Sequence, residues 1–172
     1  MSEHAALLLM GIASVAIAIS GFSGVVAVFA GRADGKWSPA ERFRTRNMLI
    51  LSLVACLLSF VPLAEELFQI PNQVLWMSAS VLLLGFCAAY VVYTVNMLRK
   101  PILRGPGTLV MWVRVVYFIC LGLASILQAL NIAGVMVERG PAPYVSGLVF
   151  VLIPAGLQFA FLVLKSLTSS DL

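Results

Sequence analysis

Five stretches of the chain read as nearly unbroken apolar runs, and the polar residues between them cluster instead of alternating with apolar ones. The runs cover about residues 5–30, 47–69, 73–98, 109–137 and 144–167. Each reaches the roughly 20 residues that a helix needs to cross a bilayer's hydrocarbon core. The breaks GRADGKWSPAERFRTRN, IPNQ, RKPILRGPG and ERGPAPY are rich in turn-forming Pro and Gly. Only the first is long enough for structure of its own. Backbone polar groups in hydrocarbon must be satisfied within their own segment, which for such runs means helix. The pattern predicts an all-α fold: one domain over residues 1–172, a polytopic membrane bundle of five transmembrane helices, with no internal repeat.

The polar residues inside the runs have a helical period. In the fourth run Arg114, Tyr117, Ser125, Gln128 and Asn131 fall in a stripe about 120° wide. The third run places Ser78, Gly85, Ala89 and Asn96 on one face, and the fifth aligns Gly147, Pro154, Gln158 and Lys165. Polar groups avoid hydrocarbon, so the three stripes are expected to face one another or a wet cavity. They serve either as a seam of interhelical hydrogen bonds, each contributing only about 0.6 kcal/mol, or as a path for an ion or small solute. Pro154 is expected to kink its helix and free the carbonyl of Phe150.

The first run is dense in small residues, which let helix backbones approach closely in lipid. Ala16, Ser20 and Gly24 form one track; Gly11, Ser14, Ala18 and Gly21 form another. Two tracks on one helix suit packing against a neighbouring span and an oligomer interface. The second run ends in PLAEELFQI, where Glu65 and Glu66 follow Pro62. Counted from Met48, Glu65 lies about 25 Å along a helix, near the far edge of the core. A helix C-terminus is a poor place for two anions, so water, a cation or a proton must compensate them. The nearby cations are Arg139, His4 and the terminal amine. Glu66 is expected to be a solvated rim residue and Glu65 the inward one.

Composition agrees with the pattern. The 172 residues are 62% hydrophobic and 10% charged, with a mean hydropathy of +1.05. A soluble chain of this length cannot hide so much apolar surface. Cys56, Cys87 and Cys120 each stand alone within an apolar run, which suits packing residues and not a disulfide framework.

The net charge of +4 has a pattern as well. Arg32, Lys36, Arg42, Arg44 and Arg46 lie in or beside the first connection, Arg99, Lys100 and Arg104 the third, and Lys165 near the C-terminus. The opposite side has only Arg139, with Arg114 left over. Basic residues resist translocation, so the N-terminus is expected outside and the C-terminus in the cytoplasm, as in a bacterial inner membrane protein. The first run lacks a basic leader and, at about 26 residues, is too long for a signal-peptide core. In WSPAERFR, Ser38 is expected to cap a helix with Pro39 at its first position and Glu41 completing a capping box. That helix would carry Arg42 and Arg46 on one face, with Trp37 and Phe43 in the interfacial belt.

The chemistry of catalysis is sparse. His4 is the single histidine, so there is no paired-His haem site, no HExxH and no Ser-His pair. Glu3, His4, Glu65 and Glu66 share one side but fix no coordination geometry. The sequence argues against an enzyme, a cofactor, a resident metal and nucleic-acid binding. It points instead to a small oligomeric channel or transporter, with Glu65 and Glu66 as an outer cation-attracting mouth. Ser125, Gln128, Asn131, Asn96 and Gln158 would line the path, and Arg114 would form an inner positive rim. The competing reading is a non-catalytic accessory or assembly subunit. The partners expected are the lipid bilayer and either further copies or another membrane protein.

Overall fold

The computed structural model describes residues 1–33, 39–99, 108–135 and 139–168. They form five helices: α1 (Glu3–Ala33), α2 (Pro39–Leu67), α3 (Asn72–Leu98), α4 (Thr108–Ala133) and α5 (Pro141–Thr168). All five are long and apolar enough to cross a membrane. The protein is an all-helical integral membrane protein.

Local chemistry explains where the helices begin and end. Pro39 opens α2 and Pro141 opens α5, positions where a missing N–H removes no intrahelical bond. Ser38, the expected cap, lies outside the described residues. Pro71, extended at φ −53° and ψ 136°, precedes α3, and its carbonyl accepts from Val74 and Leu75 N–H at 2.9 and 3.0 Å. The sequence pattern carries the fourth span to residue 137, but α4 stops at Ala133. Gly134 adopts φ 67° and donates its N–H to the Leu130 carbonyl at 3.0 Å, a left-handed helix stop. At the end of α2, Phe68 and Gln69 N–H reach the carbonyls of Glu65 and Glu66, and Gln69 turns the chain at φ 54°.

Helix α5 sits at the centre and meets all four others. Helix α1 packs on α2 and α5, and α4 on α3 and α5; among the described residues α1 touches neither α3 nor α4. Each helix contributes one wholly buried alanine: Ala16, Ala55, Ala79, Ala124 and Ala155. Small residues at crossings bring the backbones close enough for dispersion contacts, which in lipid replace the hydrophobic drive. Trp76, Leu83, Leu121, Tyr144 and Leu148 fill the remaining interior. Outward, Leu7, Ile17, Leu57, Val92 and Ile126 stand exposed, the inverse of a soluble surface and the natural complement of acyl chains. The start of α1 and the α2–α3 and α4–α5 turns share one end of the bundle, called here the acidic end for Glu3, Glu65 and Glu66. Arg42, Arg44, Arg46 and Arg99 mark the other, basic end.

Candidate functional site

Two polar clusters lie inside the bundle, one toward each end. At the acidic end, Asn131 on α4 joins α3 and the residue that precedes α5. Its amide nitrogen donates to Ser80 Oγ on α3 at 2.8 Å and to the Gly140 carbonyl at 3.4 Å, while its oxygen accepts the Gly140 N–H at 3.2 Å. One turn earlier, Gln128 donates through Nε2 to the Pro143 carbonyl at 2.9 Å. Gln128 fits there because Gly147 on α5 has no side chain: a Cβ would collide with Gln128 Nε2 and stand 3.1 Å from Leu83 Cδ2. The glycine and the glutamine form one steric unit.

Pro62 shapes the next contact. It has no N–H to offer the carbonyl four residues back, that of Leu58. Tyr144 Oη on α5 donates to that carbonyl instead, at 2.6 Å. Tyr144 is fully buried and packs its ring against Trp76, centroids 5.9 Å apart. Trp76 in turn donates to Asn72 Oδ1 at 3.1 Å, one turn away on α3.

The two glutamates divide as their positions suggest. Glu65 is half-buried and turned toward α3, where Ser78 Oγ stands 2.8 Å from both carboxylate oxygens and 2.9 Å from the Leu75 carbonyl. A hydroxyl has one proton, so these acceptors share a single donation. Glu66 is 44% exposed and receives the Met1 ammonium at 2.8 Å. Solvent screens that pair, so it holds α1 to α2 only weakly. Arg139 lies beside the Gly134 turn, its Nε 3.7 Å from where a Gly134 Cβ would stand.

The basic-end cluster is aromatic. Phe86, Tyr90 and Tyr93 stack along α3 with centroids 5.2 and 5.7 Å apart. Tyr90 donates to Asn47 Oδ1 on α2 at 3.0 Å, and Thr94 and the Tyr117 hydroxyl on α4 are 2.9 Å apart. Arg46 on α2 lies over the rings of Phe43 and Tyr93, at 5.9 and 5.3 Å from their centroids.

The stripe expected on α4 faces inward: Tyr117, Gln128 and Asn131 are buried, while Arg114 and Ser125 are half-buried. Ser125 returns its hydroxyl to the Leu121 carbonyl of its own helix at 2.8 Å. On α5, Gly147, Pro154 and Gln158 are buried; the Lys165 side chain lies outside the described residues. The expected face of α3 is rotated. Gly85, Ala89 and Asn96 are exposed, and the buried polar residues of that helix are Ser80 and Thr94. Asn96 therefore does not join Gln128 and Asn131. On α1, Ala16 is buried with Ser20 and Gly24 half-buried beside it, whereas Gly11, Ser14, Ala18 and Gly21 face outward. Ser14 satisfies its hydroxyl on the Met10 carbonyl at 2.9 Å.

Sequence reasoning missed Tyr144, Ser80, Tyr90 and Asn47. The signal for Tyr144 was present: a proline inside a buried helix leaves a carbonyl that some donor must reach. Among the described residues, no three His, Cys, Asp or Glu side chains gather in a way that could hold a metal ion. No protein-family model, curated protein or solved structure matches this chain.

Proposed function

We propose that the chain is a non-catalytic accessory or assembly subunit of a membrane complex, oriented with its N-terminus outside and its basic end in the cytoplasm. The observation that carries this reading is where the inward polar groups of α3–α5 direct their hydrogen bonds. Asn131 binds Ser80 and the Gly140 backbone, Gln128 binds Pro143, Thr94 meets Tyr117, and Ser125 turns back on its own helix. Groups that grip neighbouring helices and backbone in this way act as a seam, whereas a solute path needs donors and acceptors left for its cargo. The outward track of Gly11, Ser14, Ala18 and Gly21 on the peripheral helix α1 suits close approach of a partner helix, from a second copy or another membrane protein.

The test pairs two measurements on full-length protein: mild-detergent purification from its native membrane, and ion and solute flux in proteoliposomes. Stoichiometric co-purification with another membrane protein, together with flux no greater than empty liposomes, is the outcome expected.

A channel or transporter is the second reading, and one observation favours it. The side-chain oxygens of Gln128 and Gln158 are buried with no hydrogen-bond partner, and such acceptors could serve a passing cation or water. Flux that falls on Gln128→Leu or Glu65→Gln would replace the accessory reading with this one.

A further inference from the structure

We propose that the basic end of the α2–α3 interface binds an anionic phospholipid, its phosphate held by Arg46 and Arg42 and one acyl chain lying along the aromatic ladder of α3. The first two turns of α2 carry Arg42, Arg44 and Arg46 against a single carboxylate, Glu41. Arg42 and Arg46 are one turn apart on the same face and both exposed, a like-charge spacing that disfavours the helix unless an anion lies between them. Arg46 is already positioned by the Phe43 and Tyr93 rings. A guanidinium stacked on a ring keeps its edge N–H donors for a phosphate, which it can engage with two parallel hydrogen bonds.

The place suits a lipid. The apolar run of α2 begins at about residue 47, so Arg46 stands at its edge, the level where headgroup phosphates meet the hydrocarbon. Although consecutive in the chain, α2 and α3 meet over a smaller interface than α1 with α2 or α3 with α4. Beside that interface Tyr93, half-buried, lies under Arg46 of α2, Tyr90 is tied to Asn47 of α2, and Phe86, also half-buried, continues the stack along α3. Flat rings beside a fixed positive charge match an acyl chain beneath a phosphate.

The experiment uses full-length protein in a nonionic detergent, titrated with dioleoylphosphatidylglycerol, dioleoylphosphatidylcholine or inorganic phosphate, and read by native mass spectrometry and thermal unfolding. Saturable retention of phosphatidylglycerol over phosphatidylcholine is expected, with a matching rise in Tm. Arg46→Gln should weaken retention about tenfold, the loss of a charge-assisted pair of bonds. Tyr93→Leu should weaken it while every charge remains; if that variant does not fold, Phe43→Leu serves in its place. Arg99→Gln, which removes an equal charge elsewhere on the basic end, should leave it unchanged. Equal losses in Arg46→Gln and Arg99→Gln would overturn the site in favour of diffuse charge attraction. Equal retention of phosphatidylcholine, or equal stabilisation by inorganic phosphate, would also overturn it.

Discussion

Pro62 and Tyr144 show how one residue's missing atom sets another residue's role. Because Pro62 cannot serve the Leu58 carbonyl, Tyr144→Phe leaves a buried acceptor without its donor. The variant should lose about 1 kcal/mol of stability, measured by denaturation in mixed micelles. In a Pro62→Ala background the restored N–H takes the Leu58 carbonyl, so the same change should cost much less. Additive losses in that double-mutant cycle would show that Tyr144 acts through ring packing alone. Gly147 and Gln128 offer a second coupled pair. Gly147→Ala drives its methyl into the Gln128 amide, and moving that amide breaks its bond to Pro143. A loss of about 1–3 kcal/mol is expected, largely recovered in Gly147→Ala/Gln128→Ala. Neither pairing was legible as a pairing. Pro62, Gly147 and Gln128 each stand out in the sequence, but which residue answers each depends on helix neighbours that no local pattern encodes.

At the scale of elements, specific contacts fix both ends of the α4–α5 connection. Asn131 holds both backbone groups of Gly140, and Gly134 supplies the left-handed residue that ends α4. Gly134→Ala meets no steric obstacle, since its Cβ would lie 3.7 Å from Arg139 Nε. Its cost should be that of the backbone conformation, about 1 kcal/mol. Asn131→Leu, near in volume, should both destabilise the bundle and speed proteolysis between residues 134 and 140. Stability loss without faster cleavage would mean that the contact to Ser80 dominates over the clamp on the turn. The inward face of α4 could be read from the sequence because Tyr117, Gln128 and Asn131 recur at helical spacing in an otherwise apolar run. That of α3 could not. Apolar residues surround that helix on every side, so hydrophobicity alone distinguishes no face, and the small residues Gly85 and Ala89 point outward while Trp76 and Tyr90 point in. Lipid removes the contrast on which periodicity depends.

For the whole molecule, five spans and the alternation of charge are two independent features that must agree. An odd number of crossings puts the termini on opposite sides, and the basic residues Arg42, Arg44, Arg46 and Arg99 all gather at one end of the bundle. The proposed orientation follows because translocating that cluster would oppose the charge bias that guides insertion. Variants with one added cysteine can test it in intact cells with a membrane-impermeant maleimide. Phe68 is exposed in the α2–α3 turn and Arg99 is exposed at the end of α3, whereas the native Cys56, Cys87 and Cys120 are buried and give a low background. Phe68→Cys should react before lysis and Arg99→Cys only after it. The reversed pattern would invert the orientation and leave the bundle intact. Reaction of both before lysis would break the up-and-down path itself, because the 27 residues of α3 that separate the two sites form a helix about 40 Å long at 1.5 Å per residue, and a helix of that length crossing the core cannot return both its ends to one face of the membrane.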